Sequence, residues 1–201
     1  MIKSVLIESV RKAILKQSSN NQDATRFNHP QVVADEIGKA YNQIMKTYYS
    51  SDNTLMNAEL DFYAKTFTAK INKLNSLYYV ELPVRPVELK RNLGIRYIRP
   101  VNGDISFIRV MDTELESIKS LEVYKNAKKV FYYIEGDKIY LDYSRNEFTL
   151  IDSVKIKLLP VFSDFDDSDN IEFPQGEKQP TDMVLETLGF RPTDNINNDV
   201  K

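Results

Sequence analysis

Few residues of this 201-residue chain have the types and spacing that catalysis requires. The chain has no cysteine, which excludes thiol nucleophiles, thiolate metal sites and disulfides. His29 is the only histidine, so serine–histidine catalysis and conventional zinc sites are excluded too, and its place beside Pro30 indicates a helix cap or a surface residue. The glycine-rich patterns that cradle phosphates or dinucleotides are missing. We predict that the protein is not an enzyme and uses no cofactor; a hydrolase built on paired carboxylates stays open as an alternative, because such acids need only be close in space.

One acidic run has the residue types of a calcium site. Its aspartates are Asp164, Asp166, Asp167 and Asp169. A helix–loop–helix calcium loop also needs a glycine at its sharp turn and a glutamate at its twelfth position, where this sequence has Gln175. We therefore interpret the run as a solvated acidic connector and predict no metal site.

A basic region could contact nucleic acid or a protein partner. Between residues 84 and 110 there are six bases against two acids. The bases are Arg85, Lys90, Arg91, Arg96, Arg99 and Arg109. Residues alternate between the two faces of a strand, so Arg96 and Arg99 are predicted to lie on opposite faces, which favours pairing with a subunit or partner over a flat nucleic-acid platform. Residues 161–201 carry ten acids against three bases, so the charge is divided along the chain.

The bulk composition is that of an ordinary globular domain. Hydrophobic residues make up 42% and the net charge is only −2, which argues against a surface that attracts nucleic acid everywhere. No apolar run approaches the roughly 20 residues of a membrane helix. The first residues form an amphipathic pattern rather than a signal peptide, so we expect synthesis in the cytoplasm and no membrane partner.

Three amphipathic helices are predicted in the first third of the chain. The first runs over residues 2–15, and a loop is expected over 17–26. The second begins at Pro30, because proline is tolerated in a first helical turn. The third is indicated by an apolar stripe at helical spacing, formed by Met56, Leu60, Tyr63, Phe67, Ile71 and Leu74.

The pattern then changes to the period of two that is typical of strands. One strand is predicted over 77–82, and two more, over 95–101 and 105–110, are expected to form a hairpin around Asn102-Gly103. A short helix over 113–121, a hairpin over 130–143 with its turn at Glu135-Gly136-Asp137, and a strand within 148–162 follow. The predicted class is α+β, with the amino-terminal helices packed on an antiparallel sheet of hairpins.

The carboxy-terminal part is predicted to be an appendage. We divide the chain into a core domain over 1–162 and an acidic arm over 163–201, with a short helix over 181–189 and a disordered tail from residue 191. The arm's candidate contacts to a neighbouring protein are Asp164, Asp166, Asp167, Asp169, Phe173, Met183, Leu185 and Leu188.

The layout as a whole resembles the head–tail connector (adaptor or ring) proteins of short-tailed phages, closest to the crAss-like group. The resemblance rests on long amino-terminal helices, a sheet portion that opens with LYYVELPVRPVEL, and the closing stretch IEFPQGEKQPTDMVLETLGF. It covers the order of elements over most of the chain, and no single functional residue transfers from it.

The resemblance implies a structural subunit of the virion neck or tail. Such a subunit forms a homo-oligomeric ring, commonly twelvefold, between the portal protein and the adjacent tail ring proteins. DNA would pass through the lumen without sequence specificity during packaging and ejection. The alternative from a different class is a nucleic-acid-binding protein that uses the basic region.

Overall fold

The fold is α+β, as predicted, in a computed structural model that describes residues 1–18, 27–51, 63–75, 77–89, 94–102, 105–121, 129–142, 151–174 and 178–192. The chain divides into two compact units that interleave along the sequence. The helical unit comprises Met1–Tyr63, Pro86–Gly94 and Pro160–Lys201, and the sheet unit comprises Ala64–Arg85 and Ile95–Leu159. This division differs from the predicted boundary at residue 163, because the described part of the acidic arm packs with the amino-terminal helices.

The helical unit is built on α1 (Lys3–Gln17), α2 (Pro30–Ser51) and α4 (Pro180–Thr187). Helix α1 buries Leu6, Val10 and Ile14 completely, which confirms the predicted stripe. Helix α2 begins at Pro30, and the Nδ1 atom of His29 accepts a hydrogen bond of 3.4 Å from the backbone N–H of Gln31. His29 is exposed and accepts this bond in the first turn, which agrees with the predicted role of a helix cap or a surface residue.

Helix α4 begins and ends where its sequence signals predict. Pro180 occupies the first turn, and Gly189 adopts a left-handed φ of 82° just after the last turn. The backbone N–H of Phe190 then closes the end by donating to the carbonyl of Leu185 at 2.8 Å. The fully buried Val184 and Leu185 fix this helix in the core of the unit.

The segment between Pro160 and Pro174 supplies aromatic residues to that core. Tyr41 of α2 is 1% exposed and contacts the rings of Phe162, Phe165 and Phe173 at centroid distances of 5.9, 6.1 and 5.5 Å. The start of α1 is joined to the same segment by backbone hydrogen bonds, such as the one from Lys3 N to the carbonyl of Asp169 at 2.9 Å. This part of the predicted arm is therefore integral to the helical unit.

The sheet unit contains two sheets instead of the single sheet that was predicted. A three-stranded antiparallel sheet has the order β1 (Lys65–Lys70), β8 (Ser153–Leu158), β4 (Ile95–Pro100). A five-stranded sheet has the order β2 (Asn72–Leu74), β3 (Leu77–Glu81), β7 (Lys138–Asp142), β6 (Lys129–Glu135), β5 (Ser106–Arg109), in which β5 and β6 are parallel. The short helix predicted over 113–121 appears as a 3₁₀ turn, Asp112–Glu114, followed by α3, Leu115–Ser120.

The two sheets share one apolar core within this unit. Central strand β8 contributes Val154, Ile156 and Leu158, each fully buried. Val80 and Ile139 of the five-stranded sheet belong to the same cluster. Burial of every second residue along β8 leaves the alternate residues facing outward.

The third predicted helix is wrong over residues 65–74, where Lys65–Lys70 form β1 and Asn72–Leu74 form β2, whereas Tyr63 is helical. Phe67 and Ile71 are four residues apart, a spacing that fits one face of a helix and also one face of a strand. Ala69 lies between them, and Phe67, Ala69 and Ile71 all pack against the core of the sheet unit. The exposed Thr66, Thr68 and Lys70 alternate with them. Met56 and Leu60 lie outside the described residues.

The hairpin predicted around Asn102-Gly103 is also wrong, although both of its strands exist. Strand β4 pairs with β8 and strand β5 pairs with β6, so the two belong to different sheets. Asn-Gly favours a tight turn, but the choice of strand partner depends on residues far away in the chain. The hairpin of β6 and β7 is confirmed, with Gly136 in its turn at a φ of 59°.

Candidate functional site

The outward face of the three-stranded sheet collects positive charge from all three strands. Cross-strand register pairs Tyr97 with Lys157 and Lys157 with Thr66, and one step along it pairs Arg99 with Lys155 and Lys155 with Thr68. Lys70 and Ser153 form the next pair. We call this surface the cationic face, with eight strand positions: Thr66, Thr68, Lys70, Tyr97, Arg99, Ser153, Lys155 and Lys157.

Four of those eight positions carry cations and none carries an acid. Arg99 and Lys70 are exposed, while Lys155 and Lys157 of the central strand are half-buried. A lysine at such a position can bury its methylene stem along neighbouring side chains while its charged end stays near the surface. The face therefore presents a concentrated positive charge on a rigid backbone.

Tyr97 links the cations of this face. The guanidinium of Arg99 lies 4.7 Å from the centre of the Tyr97 ring, and the Nζ atom of Lys157 lies 5.8 Å from it. Both distances are within the range of cation–π attraction, which restrains the two long side chains while each keeps its positive charge. These contacts position the two cations above the sheet.

A β-bulge decides which residues of β4 reach the cationic face. The register shifts between Ile95 and Tyr97, so Arg96 is the extra residue on its strand. Without the bulge, Ile95 and Tyr97 would share one face. With it, Ile95 turns inward and is 4% exposed, while Tyr97 and Arg99 face outward.

The structure distributes the six predicted basic residues over several places. Arg99 lies on the cationic face, half-buried Arg96 occupies the bulge, and Arg85 is exposed in the segment after β3. Arg109 lies on β5, in the other sheet, beside Tyr132. Burial raises the pKa of Tyr132, and the charge of Arg109 opposes that rise. Lys90 and Arg91 lie outside the described residues.

Sequence reasoning missed the lysines that make the face. The third predicted helix includes Lys70, and the predicted site residues do not include Lys155 and Lys157. The signal in the sequence is the alternation Val154, Lys155, Ile156, Lys157, Leu158, which predicts a strand with one apolar side and one basic side.

The candidate residues of the acidic arm separate into buried anchors and surface acids. Phe173 is 8% exposed against Tyr41, and Leu185 is fully buried, so both contact their own chain. Met183 on α4 and Leu188, the residue that follows the helix, are half-buried. Asp166 and Asp167 are exposed, while Asp164 and Asp169 are half-buried. The described part of the predicted tail is Arg191 and Pro192, and the rest lies outside the described residues.

Within the described residues, no group of three or more histidine or acidic side chains is arranged to hold a metal ion. In the same part of the chain, no helix has the length and apolar character needed to span a membrane.

A row of tyrosines, Tyr79, Tyr140 and Tyr133, crosses the outward side of the five-stranded sheet, and the last two rings stack at 5.1 Å. At one end of this row, Lys138 is the cross-strand neighbour of both Glu81 and Glu135. This face of the five-stranded sheet therefore carries charge of both signs.

Comparison of the chain with protein-family models found no matching family. A search of curated proteins found no match either. The cationic face is therefore the principal basis for a functional proposal.

Proposed function

We propose that this protein is a non-enzymatic structural subunit whose cationic face contacts the phosphate backbone of nucleic acid. The observation that carries the proposal is the presence of four cations and no acid at the eight outward positions of one sheet. Ammonium and guanidinium groups bind phosphate oxygens through charge-assisted hydrogen bonds, and each neutralised phosphate releases a counterion.

The contact is expected to be independent of base sequence. Reading base edges requires an element that enters a groove, whereas a sheet face presents its cations across a broad surface. Tyr97 is the aromatic residue of this face, and Arg99 and Lys157 lie over its ring. Because these cations occupy the space above the ring, stacking of an unpaired base on it is disfavoured. The face suits the backbone of a DNA duplex.

The resemblance to phage head–tail connector proteins supports a particular place for this DNA contact, the lumen of a connector ring. In a connector ring, genomic DNA passes through the lumen and every contact to it must be independent of sequence. A subunit of such a ring would bind further copies of itself, the portal protein and the adjacent tail ring proteins, and would reside in the virion. A nucleic-acid-binding protein outside any ring is the second candidate, and the same cationic face favours it.

The phosphate contact can be tested by neutralising the face. The variant Lys70→Gln, Arg99→Gln, Lys155→Gln, Lys157→Gln is expected to lose binding of a fluorescent DNA duplex at low salt, measured by anisotropy. The matched control removes four lysine charges from the helical unit, as Lys12→Gln, Lys16→Gln, Lys39→Gln and Lys46→Gln. Both variants change the net charge by the same amount, so equal losses would contradict a specific role for the face.

The connector setting needs a separate measurement. The purified protein, alone and mixed with the portal protein encoded in the same genome, is examined by mass measurement and electron microscopy. A ring of identical subunits on the portal is the expected result. Monomers under all conditions, together with intact duplex binding, would leave the second candidate as the better explanation.

A further inference from the structure

The hairpin of β2 and β3 ends in an apolar tip. Leu74 and Leu77 are cross-strand partners, so their side chains lie next to each other on one face. They are 59% and 56% exposed. Asn75, at a φ of 47°, begins the turn between them. Lys73, Leu74, Asn75 and Leu77 form what we call the hairpin tip.

The hairpin's own residues carry charge of one sign. Residues 65–80 contain three lysines and no acid. Lys73 is exposed, and its Nζ atom lies 5.1 Å from the centre of the Tyr78 ring. A surface that accepts this tip should therefore offer apolar contact for two leucines together with negative charge or hydrogen-bond acceptors.

The helical unit has a cleft with these properties. A cavity of about 400 Å³ lies between α1, α2 and the segment around Phe162. Its apolar lining includes Ile7, Ala34, Val161 and Phe162, and its acids are Asp35 and Asp167. We call it the helical cleft. Its volume is within the range of sites that bind a small group of side chains or a small ligand.

One polar atom in the helical cleft is unsatisfied. Asn42 lines the cleft, and its Oδ1 atom is buried without a hydrogen-bond partner among the described residues. A buried acceptor in this state costs free energy until a donor reaches it. Because this atom has no exposed surface, a docked N–H donor would remove that cost once the Asn42 side chain turned toward the cleft.

The electrostatics of the helical cleft favour a basic occupant. Its two lysines already have partners in their own chain: Lys3 Nζ donates to the carbonyl of Phe165 at 2.6 Å and lies 3.8 Å from the carboxylate of Asp167, and Lys39 pairs with Glu36 at 2.9 Å. Asp35, at an exposed position of α2, is the other acid of the lining. Val161, Phe162, Ser163 and Asp167 line one side of the cleft, and the segment to which they belong, residues 161–174, contains five acids and no base. That segment and the hairpin tip therefore have opposite charge.

We propose that the hairpin tip of one copy docks into the helical cleft of a second copy. Leu74 and Leu77 would contact the apolar lining, and the amide of Asn75 or the ammonium of Lys73 would supply the donor that Asn42 needs. The two surfaces are different, so the interface is heterologous, with each copy offering its tip to one neighbour and its cleft to another. This inference deepens the proposed function and rests on its expectation that copies of the chain associate.

Sedimentation velocity on two complementary variants tests the proposal. The tip variant is Leu74→Ser, Leu77→Ser, and its control changes two other exposed apolar residues of the same unit, as Met111→Ser, Leu121→Ser. The cleft variant is Ala34→Trp, with Asp35→Lys as a second version at an exposed position in case the first fails to fold. Unfolding curves identify the variants that retain the native fold.

Wild-type protein and the control variant are expected to associate in a concentration-dependent manner. The tip variant and the cleft variant, each measured alone, should associate more weakly than the wild-type protein, by about tenfold or more. An equimolar mixture should regain one interface, since the intact tip of one variant meets the intact cleft of the other, and it should stop at heterodimers. That pattern of mutual rescue is specific to a heterologous interface.

Three results would overturn self-docking: a wild-type protein that stays monomeric, a tip variant that associates as the wild type does, or a mixture that shows no rescue. Duplex binding by the cationic face is measured on the same samples. If the wild-type protein does not self-associate but still binds the duplex, only the self-docking inference is refuted. If the mixture shows rescue but the wild-type protein does not bind the duplex, only the phosphate contact is refuted.

Discussion

The salt dependence of DNA binding should report how many cations of the sheet contact phosphates. Lys155 is the most informative residue, because it lies on the central strand between Thr68 and Arg99. If Lys70, Arg99, Lys155 and Lys157 each neutralise one phosphate, the logarithm of the affinity should fall with the logarithm of salt at a slope of about −3.6, since each contact contributes about −0.9. Replacing Lys155 with glutamine removes one contact and should reduce the slope to about −2.7.

These slopes predict large and distinguishable changes in affinity. Between about 50 mM and about 200 mM salt, the wild-type protein should lose affinity roughly 150-fold and the Lys155→Gln variant roughly 40-fold. Titrations of a fluorescent duplex at five or six salt concentrations resolve this difference. Lys155→Arg retains the charge and should keep the wild-type slope. Lys12→Gln, at an exposed position of helix α1, should not change it.

Two outcomes would refute the reasoning. If Lys155→Gln weakens binding but leaves the slope unchanged, the lysine supports the fold of the face and does not contact a phosphate. If Lys12→Gln lowers the slope as much as Lys155→Gln does, DNA responds to total charge and not to the sheet.

Four further predictions concern stability and are checked by chemical or thermal unfolding. Ile156→Ala empties a fully buried position on the central strand and should destabilise the fold by about 2–5 kcal/mol. Gly94→Ala should also destabilise it, by roughly 1–3 kcal/mol, because its Cβ would clash with the backbone carbonyl oxygen of Val87. Gly38→Ala should do the opposite and stabilise helix α2 by up to about 1 kcal/mol, since its Cβ meets the nearest side chain at 3.7 Å; a loss of stability there would show that the glycine is needed for packing. Burial raises the pKa of Tyr41, so its protonated form stabilises the folded state, and stability should fall above about pH 10 by up to roughly 1.4 kcal/mol per pH unit; Tyr41→Phe should make that fall less steep, and an unchanged pH profile would contradict the assignment.

The elements that were predicted correctly depend on local signals. Pro30 and Pro180 begin helices and Gly189 ends one, because proline and glycine restrict or free the backbone of their own residues. The turn at Gly136 follows the same logic, since a two-residue hairpin turn needs a positive φ. Such preferences act over a few residues and can be read without knowledge of the remaining chain.

The features that were missed depend on distant partners. The strand of residues 65–70 is recognised as one only through its pairing with residues 153–158, more than eighty positions away. The cationic face needs that pairing as well, because its charges come from three strands that are far apart in the sequence. The bulge at Arg96 reverses the side on which Tyr97 and Arg99 lie relative to Ile95, and no local signal marks it.

The burial of the arm was missed for a related reason. Phe165, Ile171 and Phe173 lie among aspartates, and the local composition is that of a solvated segment. The fold explains their burial, because it places Tyr41 and helix α1 next to this segment. A few aromatic residues in an acidic stretch can thus fix its path more strongly than its charge indicates.

The interleaved arrangement of the two units has a consequence for synthesis. The three-stranded sheet receives its central strand, β8, from residues 153–158, and the helical unit receives Phe162, Phe173 and Leu185 even later. On a translating ribosome, the amino-terminal helices and strands β1 and β4 therefore cannot complete their packing until residues synthesised long after them have emerged. Nascent chains arrested near residue 150 should remain sensitive to protease along most of their length, and protection should appear abruptly once residues 153–190 have emerged.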